Sequence, residues 1–570
     1  MNKVEKIVFC ISIFAFVLYI SWITASYPIY QTQRSSNPLA LTELSIPVLC
    51  IVIALLISNS FVLVLIRSNN RFLHICLLLQ LSAATWLTPF FMSSFSRFPD
   101  TLVYTGLSQR MGDILQGNSF MFSEYAVAYP LSFIFNLIML KVTNLATIPY
   151  SVFIFPTIIS IVIVSLWYSF IGRLSNNKTA FISTVLMVMI FYIIELHPSP
   201  RVFGETLVIL LLFFAICEKS YRIKTIPLLL LIPALTLTHA LLPVMLMVFL
   251  VVFYLVNKFI GAGQVLNRNL NISFFLLLFI TWLAWAFYQA KQTSLQILQA
   301  LNNLLTYSFV HSPEETMRIL PVGYIFSWNT SLRLVSLFSF VIIAGLFIGL
   351  KIPNAIKLIV QNNKNRKSIL SKHAIEIIFV ILSLLFAALT FILASIYGIG
   401  NHALFFFMLT LSFVSAVGVE NAIKKKSRLV KIAKIGIFCW LIFLASTYTL
   451  TAYYTEPYYS YPSSEDVGLR FTTSNIHIDS KSVSMYRPER LSMYLSSDIT
   501  FIPVAFPLSD RSPDVAIFLK SAYFEFSMTK NLNFVNNSYT QFYDKLSSSS
   551  ELNKVYSNPS AEIFVKNGGL

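Results

Sequence analysis

The chain has 570 residues, 56% of them hydrophobic and 11% charged, with a mean hydropathy of +0.73. That balance excludes a soluble globular enzyme. A net charge of +17 would point to nucleic acid in a soluble protein, but here Lys and Arg sit in short loops between apolar runs, as topology signals and lipid contacts, so nucleic acid is excluded as a partner.

In chain order, the first apolar run is Ile7 to Thr24. It lacks a small-residue cleavage site and reads as a retained helix rather than a signal peptide. Apolar runs then recur to about residue 450, each able to cross roughly 30 Å of hydrocarbon as a helix. The expected limits of about 13 spans are 7–24, 46–66, 72–92, 150–171, 179–196, 202–217, 225–238, 241–256, 273–288, 332–350, 374–397, 403–420 and 435–452. The five cysteines lie in or at the edge of such runs and offer no disulfide framework or metal cluster.

Between the third and fourth spans lies the most informative tract, Phe98 to Asn144. It opens with Asp100 where the chain leaves the bilayer. Two amphipathic stretches follow, broken at Gly117-Asn118 and at a Tyr125…Tyr129-Pro130 corner. A channel or anchor has little need of two helices lying on the membrane surface; an enzyme that handles a lipid head group does. Loop charges fix the orientation. Lys3 and Lys6, Arg67 and Arg71, Arg173 and Lys178, Lys219 to Lys224, Lys258 and Arg268, Lys351 to Lys372, and Lys424 to Lys434 are all cytoplasmic if Ala126 to Lys141 does not cross. The N-terminus is then inside the cell and the C-terminus outside.

After Leu450 an aromatic, Pro- and Ser-containing linker leads to a soluble-looking tail. Helices near 464–475, 488–495 and 538–549 alternate with strands near 477–485, 499–504, 514–520, 553–557 and 561–566, a small α/β domain ending in a hairpin at Asn558-Pro559. The expected organisation is an extra N-terminal pair of helices (1–70), a transmembrane module (71–452) with its first outer loop at 93–149, and an extracytoplasmic α/β domain (453–570).

Ionisable groups at membrane depth are costly and usually face a cavity or each other. On the expected outer face lie Asp100, Arg110, Asp113, Glu124, Glu195, His197, Arg201, Glu205, His239, Arg318 and His402, among others. Asp100 has two compatible readings. It can take the proton from an attacking hydroxyl, or it can cap a helix from Thr101 to Leu115. Glu195 to Arg201 packs an acid, an imidazole and a guanidinium into seven residues; the bland alternative is a tight turn forced by Pro198 and Pro200. His239 and His402 each suit a phosphate or hydroxyl contact, or a plain turn. Arg110 and Asp113, three apart, read first as an i,i+3 ion pair. No Walker motif, GxGxxG or zinc-ligand spacing occurs, so no cofactor is indicated, a divalent metal included.

This order of elements, with PDTLVY, MGDILQGN and YAVAYPLS in the first outer loop and NKVYSNPSAEIFVKN at the chain end, resembles the GT-C superfamily of integral-membrane glycosyltransferases, archaeal-type members above all. The resemblance runs from about Arg71 to Leu570. It implies a GT-C-like polytopic fold and a polyprenyl- or dolichyl-phosphate-linked sugar donor, with a glycan, lipid or protein acceptor on the outer face. It also implies Asp100 as the first-loop catalytic acid and Glu195, or its neighbour His197, at the second-loop position; the residues themselves offer His197, Arg201, His239, Arg110, His402 and Arg318 as substrate contacts. Three departures stand out. No Trp follows Trp440, so the WWDYG element of oligosaccharyltransferase catalytic subunits is missing; the second loop has no DxD; and Asn401-His402 stands where relatives carry an arginine. The rival is a non-catalytic scaffold or transporter-like protein that keeps the same fold. A transporter should show polar residues at mid-membrane and paired broken helices, whereas the polar groups here gather at the outer edge.

Overall fold

A computed structural model describes residues 1–33, 40–92, 99–116, 123–145, 149–190, 196–217, 221–260, 272–290, 295, 335, 338–343, 345, 374–393, 399–424, 434–445, 447, 482–485, 500–502, 515–519, 543, 546–548, 552–557 and 561–566. The chain begins with α1 (Lys3–Gln33), α2 (Ala40–Leu65) and α3 (Arg71–Phe91), three apolar helices packed on one another. Four short helices follow: α4 (Pro99–Gln109), α5 (Met111–Leu115), α6 (Ser123–Ala128) and α7 (Pro130–Thr143). Next come α8 (Tyr150–Leu174), α9 (Asn177–Ile190), α10 (Pro200–Cys217), α11 (Tyr221–Thr236), α12 (Leu242–Ile260) and α13 (Ile272–Tyr288). The helical part closes with α14 (Ala374–Leu393), α15 (Ile399–Lys424) and α16 (Lys434–Ala445).

Six of these, α1, α2, α3, α8, α10 and α15, are long and apolar enough to cross a membrane. The chain is a polytopic helical membrane protein. Six is fewer than about 13 because α11 to α14 and α16, although they fall at expected limits, offer described apolar stretches of only 10–17 residues, α9 is described over only 14, and the expected span at 332–350 lies largely outside the described residues. The stretch Pro130–Thr143 is also in this short class. At 1.5 Å per residue its 14 residues reach about 21 Å, less than the hydrocarbon thickness.

Polar side chains tie the bundle together. The Trp167 indole N–H donates to Ser183 Oγ at 3.1 Å, and Ser183 Oγ meets Ser412 Oγ at 3.2 Å, so α8, α9 and α15 are joined through small residues. Toward one end of the same pair, Thr179 Oγ1 and Asn176 Nδ2 donate to the buried carboxylate of Glu420. Ala83–Leu87 in α3 is a π-helical turn, whose displaced backbone is bonded by the buried Tyr19 hydroxyl, 2.9 Å from Ala83 O. Phe249 on α12 packs among Phe379 and Phe386 of α14 and Phe406 of α15.

The tail forms a five-stranded sheet from β1 (Ser482–Met485), β2 (Thr500–Ile502), β3 (Val515–Leu519), β4 (Leu552–Ser557) and β5 (Ala561–Lys566), in the order β2-β1-β3-β5-β4. The first three are parallel; β5 is antiparallel to both β3 and β4. Val515, Ala516, Ile517, Ile563 and Val565 are buried, as β-branched and small residues suit a covered sheet. The β4–β5 pairing slips between Lys554 and Tyr556, a bulge. All five expected strand positions hold strands. Of the expected helices, 464–475 and 488–495 lie outside the described residues, and 538–549 is helical at 543 and 546–548.

Candidate functional site

The start of α10 is built by its own sequence. Ser199 caps it, its Oγ accepting from Val202 N–H at 3.3 Å, and Pro200 occupies the first helical position, where a missing N–H costs nothing. Arg201 therefore sits in the first turn. Its Nε donates to Glu205 Oε1 at 2.9 Å one turn on, and Glu205 is fully buried. A cation at this end opposes the helix dipole, so Glu205 is what holds the guanidinium there.

Gly204 lies between these two residues and governs what packs on them. A Cβ there would come within 2.6 Å of Leu242 Cδ1 and 3.5 Å of His239 Cβ. The bare glycine thus lets the turn between α11 and α12 press against α10. In that turn Leu241 N–H donates to His239 Nδ1 at 3.2 Å, which leaves the ring hydrogen on Nε2. Burial, helped by the Arg201 charge, pushes His239 down to about 3, so the ring is neutral. The His402 ring, at the start of α15, meets His239 edge to face with centroids 4.5 Å apart. His402 is 6% exposed, and its Nδ1 has no hydrogen-bond partner among the described residues. Arg201 lies within electrostatic reach of both rings. One guanidinium and two buried imidazoles, from three remote elements, are brought together, a cluster whose charge and N–H donors suit an anion.

The short helices α4, α6 and α7 pack beside this cluster. Tyr104 of α4 stacks on His197, centroids 6.0 Å apart. Phe135 of α7 stacks on Phe203 of α10 at 4.7 Å, and Leu131 N–H donates to Leu237 O at 3.2 Å. The Trp285 indole donates to Ala128 O at 2.7 Å and the Trp282 indole to Ala240 O at 2.9 Å, so α13 ties α6 to the His239 turn. Burial pushes the Tyr129 hydroxyl up to about 12, which keeps its proton on.

Arg201, His239 and His402 thus come together, while His197, two residues before the Ser199 cap, stacks on Tyr104. The expected helix 101–115 divides at Arg110, whose backbone leaves the helical region (φ −95°, ψ 7°), so Arg110 and Asp113 do not share an uninterrupted helix face. Their charges still interact, Asp113 opposing the fall that burial imposes on the Arg110 guanidinium. The α4 helix starts at Pro99, which puts Asp100 inside its first turn rather than at the cap before it. The Asp100 side chain, Glu195 and Arg318 lie outside the described residues. Glu205 and Gly204 carry the geometry, and their signals were an acid four residues after Arg201 and a glycine inside an apolar helix. Among the described residues no three His, Cys, Asp or Glu side chains gather as a metal cage.

No family model matches the chain, and no curated protein does. Among solved structures it is similar to the oligosaccharyltransferase of Archaeoglobus fulgidus in the apo form, at 11% identity, covering 82% of this chain and 72% of that one, with a TM-score of 0.47. It is also similar to ArnT from Cupriavidus metallidurans bound to undecaprenyl phosphate, at 10% identity, covering 86% of this chain and 97% of that one, with a TM-score of 0.43.

Proposed function

We propose that the protein is a glycosyltransferase that moves a sugar from a polyprenyl- or dolichyl-phosphate donor to an acceptor hydroxyl outside the cytoplasm. The observation that carries this reading is the meeting of Arg201 with two buried imidazoles, at least one of them neutral. The leaving group of such a donor is a phosphate, which a guanidinium compensates and imidazole N–H groups hydrogen-bond. The motif resemblance of the first outer loop supports the same class.

The step itself asks for a base. Asp100 precedes Tyr104 by four residues on α4, so the two share a face of that helix, and Tyr104 stacks on His197. In this mechanism the acceptor oxygen forms a bond to the anomeric carbon as the carbon–phosphate-oxygen bond breaks. The Asp100 carboxylate receives the acceptor proton, and the lipid phosphate leaves with the bonding electrons.

The test is transfer from synthetic prenyl-phosphate hexoses by the purified full chain in proteoliposomes. Asp100→Asn keeps the size and removes the charge, and should cut turnover by about 10²-fold or more while thermal stability stays near that of the parent. His402→Ala should weaken binding of undecaprenyl phosphate by about tenfold, the scale of one lost hydrogen bond to a charged group. If the unaltered protein neither binds a prenyl phosphate nor turns over any of the hexose donors, the scaffold reading replaces this one.

A further inference from the structure

One peptide group joins the His239 imidazole to the indole of Trp282. The unit between Ala240 and Leu241 is held by both of its polar atoms. Its carbonyl, Ala240 O, accepts from Trp282 Nε1–H at 2.9 Å, and its amide, Leu241 N–H, donates to His239 Nδ1 at 3.2 Å. Burial keeps the ring neutral, so it carries a single ring hydrogen, placed on the nitrogen that faces no donor. The same peptide turned over would aim its carbonyl at Nδ1, which would then take the hydrogen and leave Nε2 bare. The indole opposes that reversal. With the peptide reversed, the Trp282 N–H would face the Leu241 N–H, donor against donor, in a turn where His239 and Ala240 are both buried. Trp282 belongs to α13, 42 residues beyond Ala240, and packs against the main core, so it is a fixed point outside the turn.

We propose that Trp282 is a positioning residue for the donor phosphate: by fixing the peptide between Ala240 and Leu241 it holds the His239 hydrogen on Nε2, the nitrogen left to donate to an anion. The proposal rests on the sugar-transfer reading for its ligand, whereas the tautomer is a property of the protein alone. Polarisation acts in the same direction, because a peptide whose carbonyl accepts a hydrogen bond donates more strongly through its N–H. Trp285, one turn along α13, supplies the contrast. Its indole N–H is engaged by Ala128 O at 2.7 Å, so it ties down α6 and not the His239 peptide.

The full chain, isotope-labelled at histidine and held in phosphatidylcholine liposomes, provides the test. Nitrogen NMR spectra read the tautomer, the His239 signals being those lost in His239→Ala, and undecaprenyl phosphate binding is titrated on the same samples. The parent should show a bare Nδ1 and a protonated Nε2. Trp282→Phe keeps an aromatic ring in the packing and removes the N–H. It should move a large share of His239 to the Nδ1–H tautomer and weaken binding about fivefold, less than the loss of a whole hydrogen bond to a charged group. Trp285→Phe should leave the tautomer unchanged. In the His239→Ala background Trp282→Phe should weaken binding no further, because it acts through that ring. Replacing Trp282 by benzothienylalanine, which keeps the shape of the indole without its N–H, gives the same reading should the smaller ring upset folding. Three results overturn the proposal: an Nδ1–H tautomer in the parent, an unchanged tautomer without the indole N–H, or an equal loss of binding with and without His239. A tautomer that responds to Trp282 in a protein that binds no undecaprenyl phosphate would instead sink the sugar-transfer reading, and the donor role with it.

Discussion

At the scale of single residues, the buried pair of Arg201 and Glu205 is the most exposed to test. Glu205 is fully buried and the Arg201 side chain 20% exposed, so removing either charge strands the other in a low-dielectric site. Arg201→Gln and Glu205→Gln should each lower stability by about 3–5 kcal/mol, and the double substitution by less than their sum, read by thermal melting of the purified protein. His239 makes a pH prediction with a definite sign. Its folded value of about 3 is below the 6.5 of an unperturbed histidine. Between those values the unfolded chain binds a proton that the folded one does not. Stability should be intact above pH 6.5 and fall on acidification toward pH 3, and His239→Asn should flatten that part of the profile. The sequence made Arg201, His239 and His402 visible as polar groups at the outer ends of spans, and the i,i+4 spacing of Arg201 and Glu205 was there to be read. The contact of His239 with His402, 163 residues apart, is set by tertiary packing, which no local spacing encodes.

At the scale of elements, the close approach of α10 to the α11–α12 turn rests on one missing methyl group. Gly204→Ala would press against Leu242, which is itself fully buried, and overpacking of this kind costs about 1–3 kcal/mol. A second substitution, Leu242→Ala, should recover part of that loss despite its own cavity, and a thermal-melt cycle of the four variants measures the coupling. Helix positions were legible because hydropathy alone sets them: the starts expected at 72, 202, 241 and 273 fall within two residues of observed starts at Arg71, Pro200, Leu242 and Ile272. The break at Arg110 was not legible. Gly106 and Gly112 flank it, yet Met111, Leu107 and Ile114 pack in one cluster and continue the helical pattern across it.

At the scale of the whole molecule, the loop charges make the topology testable. In a cysteine-free background, Lys141→Cys, at an exposed position on α7, should react with an impermeant thiol reagent from the same side as Lys554→Cys in the sheet. Labelling from opposite sides would mean that α7 or a neighbouring helix crosses the membrane after all. The sheet has a further consequence for life in a crowded bilayer, where copies of the protein lie side by side. Its two rims are β2 and β4. Among the described residues the first has three; the second carries the bulge between Lys554 and Tyr556, with Lys554 held by Glu562 at 3.0 Å. A rim that kinked and charged gives a neighbour's backbone little to zip onto along β4, so on that side the tail can stand beside other copies without feeding a growing cross-β stack.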